Sequence, residues 1–267
     1  EALMHRAEAG EFAAVFMGIP CGTWSVLREA SDGGAPKLRS RAHPGALRAG
    51  LSPRWVEVAR EADNLAARAT RIAAAVQRRG GVFVAENPID SGDSTADTFR
   101  SGDADHCPLW LEPFMLAFQL ETDARSVDFA QCAFQGRFRK LTTLWFSPKL
   151  GEFLGGLHAA VCTHVGVRHV EVARGYDAVG QSLSASAAAY PAALNIFFAN
   201  ALAWWWAAQT ESAARAVSET TGLEDRGRIC LGESVAVGTG GGGTRVAPVV
   251  RAEAHADRAP QQGADSP

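Results

Sequence analysis

Apolar positions in the first third of the chain predict a strand, a long helix and a second strand. Residues 12–17 form a continuous apolar run, and residues 82–85 form another. Short runs of this kind are typical of strands that are buried on both faces. Between them, apolar residues recur at helical spacing from Pro53 to about Arg79, and Ser52 stands at the N-cap position. Together these elements predict a βαβ unit with two parallel strands.

The rest of the chain predicts a short helix, two more strands and a closing helix. Residues 113–120 have the pattern of the short helix. Residues 125–133 and 141–147 have the apolar content of strands, and the basic residues 134–140 form a turn between them. Residues 190–208 are mostly apolar but contain two asparagines, which favours a buried helix over a membrane span. The predicted fold class is α/β, with a parallel sheet, a right-handed crossover and helices on both faces.

The sequence divides into a globular part and a low-complexity tail. Residues 1–208 carry the predicted elements, whereas residues 209–267 are rich in Ala, Gly, Ser, Pro and charged residues. Such a composition buries too little apolar surface to fold, so the tail is predicted to be disordered. The sequence shows no signal peptide and no membrane span. The chain begins with Glu1 instead of Met, which favours a fragment or a processed piece of a longer protein.

The cysteines predict a reducing environment. Their number is odd, their spacing is wide, and no two form a Cys-x-x-Cys pair. This pattern excludes the disulfide framework of a small secreted protein. The protein is therefore expected to be intracellular and not secreted. The five cysteines are Cys21, Cys107, Cys132, Cys162 and Cys230.

Several histidines and cysteines lie between residues 158 and 169. A zinc site and a set of unrelated side chains are the two alternatives. A Cys-x-His spacing is not the usual two-ligand clamp of a zinc site, and the sequence does not clearly place a second pair. No metal ligand is therefore predicted. The residues considered are His158, Cys162, His164 and His169, with His106 and Cys107 as further candidates.

Charge is unevenly distributed, although the net charge of the chain is only -3. Residues 37–79 hold 10 Lys or Arg against 3 Asp or Glu, a net of +7, and residues 86–128 hold 2 against 10, a net of -8. The basic stretch predicts either a phosphate-binding surface or a solvated helix face with a polar loop. The residues predicted to contact nucleic acid are Ser25, Arg28, Arg39, Arg41 and Lys140.

Two candidate catalytic residues follow the two buried strands. Cys21 and Glu86 lie just past the first and second apolar runs, at the edge where open α/β sheets bind their ligands. A cysteine there acts as a nucleophile if nearby cations or N–H groups stabilise its thiolate. The alternative is a buried cysteine in a tight turn. A carboxylate there is a candidate proton donor, and the alternative is a glutamate that caps a loop or pairs with an arginine.

The turn at residues 135–140 is a third candidate site. It carries Arg137, Arg139 and Lys140. Arginine suits bidentate contacts to phosphates and base edges. The alternative is the exposed tip of a basic hairpin.

The order of these motifs resembles that of the cytosine-C5 DNA methyltransferases. Pro20-Cys21 follows the first strand, Glu86-Asn87 follows the second, and Gln135-x-Arg137-x-Arg139 comes later. The chain is more similar to a divergent branch with Glu-Asn-Pro, which includes phage-type enzymes and segments of retroelement polyproteins. Further matches to that branch are Gln131-Cys132-Ala133-Phe134, Arg139-Lys140-Leu141-Thr142 and Ala189-Tyr190-Pro191-Ala192-Ala193-Leu194.

The resemblance implies a Rossmann-like methyltransferase sheet, S-adenosylmethionine as methyl donor, and a role for each motif. Cys21 would add to C6 of a cytosine flipped out of DNA, and Glu86 would protonate N3. Asn87 and Pro88 would hold Glu86 in place. The residues implied to support the base and phosphates are Arg137 and Arg139. The residues implied for the cofactor site are Pro20, Asn87 and Pro88. The implied partner is DNA or RNA, and a eukaryotic member would be nuclear.

The chain departs from the family at the cofactor site. In the family a Phe-x-Gly-x-Gly turn precedes the Pro-Cys motif, but the 19 residues before Pro20 contain no such turn. The first strands of the sheet are therefore expected to be missing and to belong to an upstream domain or a partner chain. Little or no methyl transfer is expected from this chain alone. The alternative function is a non-catalytic nucleic-acid-binding module of a retroelement-type polyprotein.

Overall fold

The computed structural model describes residues 1–29, 35–164, 169 and 189–221, with side chains up to residue 212 in the last range. Its main elements form an α/β arrangement, as the sequence predicts. They are α1 (Ala2–Glu8), β1 (Ala14–Gly18), α2 (Pro53–Arg78), β2 (Val82–Pro88), α3 (Pro113–Thr122), β3 (Arg125–Ala130), β4 (Leu141–Phe146), α4 (Gly151–Leu154) and α5 (Ala192–Thr221).

The four strands form one mixed sheet in the order β1-β2-β4-β3. β1 and β2 are parallel, with Ala14 opposite Val82 and Gly18 opposite Glu86. β4 runs antiparallel to both of its neighbours, so β3 points in the same direction as β1 and β2. The parallel pair joined through α2 confirms the predicted βαβ unit. The predicted parallel sheet is wrong beyond this pair, because β4 pairs antiparallel with both β2 and β3.

The length and ends of α2 follow from its sequence. Pro53 occupies the first turn, where its missing N–H removes no helical hydrogen bond. After the helix, Gly80 takes a φ of +90°, which favours glycine. The buried positions of the helix are mostly alanines, such as Ala59, Ala66 and Ala73. Small side chains allow the helix to lie close to the sheet.

Gly81 is required by the close approach of α2 to β1. A Cβ at this position would lie 2.6 Å from the Ala13 carbonyl oxygen and 2.7 Å from Val76 Cγ1. We expect Gly81→Ala to lower the free energy of unfolding by about 1–3 kcal/mol through overpacking. Urea denaturation measures this change. Gly155→Ala is the matched control, because its Cβ would meet no atom within 4 Å, and an equal loss in both variants would contradict the explanation.

Alternate residues of β2 enter two separate cores, one on each face of the sheet. Phe83 and Ala85 join the core formed with α2 and α3, where Met115 and Phe118 are buried. On the opposite face a second core is formed with α4 and α5. Its buried members include Val82, Val84, Leu144, Leu154, Leu194 and Phe198. Helices therefore cover both faces, as the near-continuous apolar content of β2 predicts.

The closing elements differ from the predicted boundaries. β3 ends at Ala130, because a 3-10 turn, Gln131–Phe134, follows it. α5 begins at Ala192 and continues to Thr221, well beyond the predicted end at residue 208. Among the three successive tryptophans of this helix, Trp205 is buried whereas its two neighbours are about half exposed.

The chain forms one compact unit over Glu1–Arg226, and Gly227–Pro267 separate as a second unit. The predicted domain boundary between residues 208 and 209 falls inside α5. Most of the tail that the sequence predicts to be disordered lies outside the described residues. In the described part of the chain, every helix is too short or too polar to cross a membrane.

Candidate active site

The parallel pair β1–β2 places both predicted catalytic residues at one edge of the sheet. Cys21 begins a 3-10 turn, Cys21–Thr23, that follows β1 directly after Pro20. Glu86 lies near the end of β2, opposite Gly18 of β1. The carboxyl ends of neighbouring parallel strands share an edge, so the two motifs converge as the sequence predicts.

Arg28 and Ser25 shape the turn that carries Cys21, although the sequence predicts them as nucleic-acid contacts. Arg28 Nε donates a hydrogen bond to the Gly22 carbonyl, and its Nη1 donates to the Pro36 carbonyl at 3.0 Å. The guanidinium also lies 4.9 Å from the centre of the Trp55 ring. Ser25 Oγ accepts a hydrogen bond from the Leu27 amide. These contacts hold the turn that begins at Cys21.

Asn87 ties the two motifs together. Its side chain is 1% exposed, and Nδ2 donates a hydrogen bond of 2.8 Å to the Ile19 carbonyl, directly before Pro20. The Pro88 carbonyl accepts a hydrogen bond of 2.9 Å from Trp110 Nε1. The ends of β1 and β2 are therefore fixed relative to each other by a buried amide.

Glu86 is buried and surrounded by three donors. Its carboxylate accepts a hydrogen bond of 2.8 Å from the Tyr190 hydroxyl. Lys140 Nζ lies 3.3 Å from the other carboxylate oxygen, and Gln131 Nε2 lies 3.4 Å from it. Gln131 also donates to Thr142 Oγ1 at 3.0 Å. These contacts fix the orientation of a carboxylate that is only 4% exposed.

We call Cys21, Glu86, Lys140 and Tyr190 the thiol–carboxylate cluster, because their charges act on one another. Burial raises the pKa of Cys21, the Lys140 charge lowers it, and the Glu86 charge raises it. Burial also raises the pKa of Tyr190, and the charges of Glu86 and Cys21 raise it further. Lys140 Nζ lies 5.3 Å from the centre of the Tyr190 ring.

The raised pKa of Cys21 predicts slow alkylation by iodoacetamide at neutral pH and a rate that keeps rising through pH 9.0, the ordinary value for a thiol. Lys140→Met should slow alkylation at any given pH, because it removes a charge that lowers the pKa. Glu86→Gln should accelerate it, because it removes a charge that raises the pKa. Each pKa unit changes the thiolate fraction by roughly tenfold below the pKa.

Peptide mass spectrometry of Cys21 against pH measures these rates separately from those of the other cysteines. Buried Cys107 is the internal control, because burial raises the pKa of its thiol to about 12. If the Lys140 and Glu86 variants both accelerated or both slowed Cys21 alkylation, the opposite effects of these two charges on the Cys21 pKa would be contradicted.

Two of the residues that contact Glu86 are not among the predicted functional residues. Tyr190 comes just before α5 and Gln131 just after β3, far from Glu86 in sequence. Both lie in motifs that carry the resemblance, which is the signal that could have identified them. Lys140, predicted as a nucleic-acid contact, instead pairs with Glu86.

Arg39 is buried, which corrects its predicted role as a contact to nucleic acid. Its Nε lies 2.7 Å from Glu112 Oε1, and both side chains are 2% exposed. It also pairs with Asp63 and donates to the Thr23 carbonyl at 3.2 Å. Arg39 Cζ lies over the Trp24 ring, 4.6 Å from its centre. Arg39 therefore supports the turn after Cys21 from inside the protein.

The basic and acidic stretches of the sequence meet in the fold. Arg41 Nη1 donates to both oxygens of Asp90, at 2.7 and 2.8 Å. Arg39, as above, pairs with Glu112 of the acidic stretch. Further pairs between the two stretches are Arg48 with Asp105 and Arg78 with Glu121. Much of the +7 charge thus neutralises the -8 segment and does not form a uniform phosphate-binding surface.

Arg137 and Arg139 are exposed on the turn between β3 and β4. Burial raises the pKa of Cys132 and lowers the pKa of His169, and the Arg139 charge lowers both, which places its guanidinium near these two side chains. The predicted catalytic role of the two arginines remains a prediction.

The described ends of β1 and β2 do not have the glycine-rich turn expected of an S-adenosylmethionine site. β1 leads into the 3-10 turn at Cys21, and β2 leads into an irregular loop. Neither strand of the parallel pair therefore runs into a glycine-rich turn at the start of a helix, where dinucleotide-type cofactors bind. Asn87, one of the residues predicted for the cofactor site, is already bonded to the Ile19 carbonyl.

Comparisons of the chain with protein-family models, with curated proteins and with solved structures found no match.

Proposed function

We propose that this chain is the base-binding half of a cytosine-C5 DNA methyltransferase-like domain, in which Cys21 adds to C6 of an unstacked cytosine. The observation that supports this function best is the thiol–carboxylate cluster, with Cys21 and Glu86 on adjacent parallel strand ends. A nucleophile and an acid at the same edge of the sheet can contact two positions of one pyrimidine ring. The order of motifs along the chain supports the same reaction.

The proposed addition is balanced in protons and electrons. The Cys21 thiol transfers its proton to Glu86, and the resulting thiolate forms a bond to C6. The C5=C6 electron pair shifts to C4–C5, and the C4=N3 pair moves onto N3, which takes the proton from Glu86. The product is an enamine whose C5 is nucleophilic. A thiol of raised pKa needs such a proton acceptor beside it.

Lys140 and Tyr190 have supporting roles in this proposal. The Lys140 ammonium stabilises the thiolate, because its charge lowers the pKa of Cys21. The Tyr190 hydroxyl holds one carboxylate oxygen of Glu86 at 2.8 Å, which leaves the group fixed for hydrogen bonding to a base edge. Preorganised donors of this kind reduce the cost of reorganisation during reaction.

We also propose that the sheet is the second half of a Rossmann-like methyltransferase sheet. Within the described residues, β1 pairs with β2 on one side only, so its outer edge can accept further strands that carry the cofactor turn. A parallel pair with helices on both faces and a site at its carboxyl edge fits this architecture. We propose no methyl transfer for this chain alone, because the described ends of β1 and β2 lack the glycine-rich turn of a cofactor site.

Exchange of the cytosine C5 hydrogen with solvent tests the addition without a methyl donor. The enamine takes up a deuteron at C5 from D2O, and loss of the original C5 proton followed by release of Cys21 leaves labelled cytosine. The chain should label a single-stranded cytosine oligonucleotide, and mass spectrometry of the deoxycytidine detects the product. Absence of label above the protein-free background would overturn the proposal.

A non-catalytic nucleic-acid-binding module is the second candidate. It is favoured by exposed arginines on α2 and on the turn before β4, namely Arg54, Arg60, Arg68, Arg71, Arg137 and Arg139. This function predicts DNA or RNA binding that weakens steeply with salt and is unchanged by Cys21→Ser. Binding of this kind without C5 exchange would favour the second candidate over the first.

A further inference from the structure

Four potential metal ligands lie close together beside the 3-10 turn Gln131–Phe134. Cys132 lies on the 3-10 turn after β3, and Cys162, His164 and His169 come from the segment after Ala160. One ligand atom of each residue lies within 4.8 Å of every other. From the sequence, Cys162, His164 and His169 are considered as zinc ligands but not predicted to be, and Cys132 is not considered because it is distant from them along the chain.

Two distances from Cys162 to the histidines of the group are close to those around a tetrahedral ion. Cys162 Sγ lies 3.6 Å from His164 Nδ1 and 3.3 Å from His169 Nε2. Tetrahedral zinc, with Zn–S of about 2.3 Å and Zn–N of about 2.0–2.1 Å, places its sulfur and nitrogen ligands roughly 3.6 Å apart. Cys162 and the two histidines are therefore spaced as ligands of one ion would be, and the Cys132 sulfur lies within 4.8 Å of all three.

The ligand chemistry selects the metal. Both cysteines of the group are free thiols, and two thiolates with two imidazoles form the Cys2His2 set of structural zinc sites. Carboxylates or carbonyl oxygens, which would favour magnesium or calcium, do not contribute to the described group. We propose that Cys132, Cys162, His164 and His169 bind one Zn²⁺ ion in a closed structural site.

The site would fasten the segment after Ala160 to the end of β3. A backbone hydrogen bond of 2.8 Å from the Ala130 amide to the Ala160 carbonyl already joins the two segments. Cys132 is the neighbour of Gln131, which contacts Glu86. The zinc ion would thus brace one wall of the thiol–carboxylate cluster. The proposal does not depend on the function proposed for that cluster.

Metal analysis of the purified full chain tests the site. Elemental mass spectrometry should find about one zinc per chain, and Cys132→Ser, Cys162→Ser and His164→Ala should each lose most of it. Matched controls are Cys21→Ser and His158→Ala, which change the same residue types outside the group and should retain zinc. Cobalt substitution should produce the visible bands of a tetrahedral thiolate complex in the wild type and in the two controls, but not in the three ligand variants.

Thiol counting keeps the test valid if a variant fails to fold. In the wild type, EDTA should make two additional thiols reactive towards a disulfide reagent, and peptide mapping should identify them as Cys132 and Cys162. Zinc that persists in the Cys132 and Cys162 variants would overturn the proposal. So would a metal-free protein with both thiols reactive, or one with the two joined as a disulfide.

Discussion

Replacement of Cys21 by serine should reduce exchange of the cytosine C5 hydrogen to the rate measured without protein. A serine hydroxyl is a much weaker nucleophile than a thiolate and cannot form the C6 adduct at neutral pH. Glu86→Gln should lower the exchange rate by about 10²–10⁴-fold, the range for loss of a general acid, because the amide cannot carry a proton to N3. Deuterium in deoxycytidine, followed over time, measures both effects.

Two observations separate a chemical role from a structural one. Cys107→Ala removes another free cysteine, buried and outside the thiol–carboxylate cluster, and should leave the exchange rate unchanged. Glu86→Gln should lower the exchange rate while it raises the rate of Cys21 alkylation, and an unchanged circular dichroism spectrum would show that the faster alkylation does not come from unfolding. Exchange that survives Cys21→Ser would contradict the proposed addition.

Arg39→Met should destabilise the protein by about 3–5 kcal/mol, the cost of leaving a buried charge without its partner. Among the described partners of its side chain, Glu112 would keep only Trp24, whose Nε1 donates a hydrogen bond of 2.9 Å, in a site that is 2% exposed. Burial already raises the pKa of Glu112, and the Arg39 charge lowers it. Urea denaturation gives the change in the free energy of unfolding.

Arg78→Met is the matched control. Arg78 also pairs with a glutamate, but both side chains are at least half exposed, so the loss should be less than about 1 kcal/mol. The double variant Arg39→Met with Glu112→Gln should be more stable than Arg39→Met alone, because it removes the second buried charge as well. Equal losses of unfolding free energy in Arg39→Met and Arg78→Met would contradict the expected stabilisation by the buried Arg39–Glu112 pair.

The hydrophobic pattern predicts the central part of the fold. The apolar runs at 12–17 and 82–85 correspond to β1 and β2, and the helical spacing between them corresponds to α2. These elements are specified locally, by the spacing of their apolar residues and by the residues at their ends. The order β1-β2-β4-β3 could not be predicted in the same way, because the insertion of β4 depends on pairing between distant segments.

The arginines show where sequence reasoning fails. A cluster of Lys and Arg has the same composition whether it faces nucleic acid or pairs with acids of another segment. Arg39 and Arg41 turn inward to Glu112 and Asp90, and only the packing of their loop against the acidic segment decides this. Net charge per segment therefore predicts the presence of a charge interaction but not its partner.

Local sequence is enough to predict the strand–helix–strand unit, with Cys21 after the first strand and Glu86 near the end of the second, because both features depend on periodicity and on the common edge of parallel strands. The surroundings of these two residues depend on the tertiary fold. Tyr190, Gln131 and Lys140 reach Glu86 from other elements, and Cys132 joins a distant Cys–His segment. Such contacts arise from long-range packing, which no local spacing encodes.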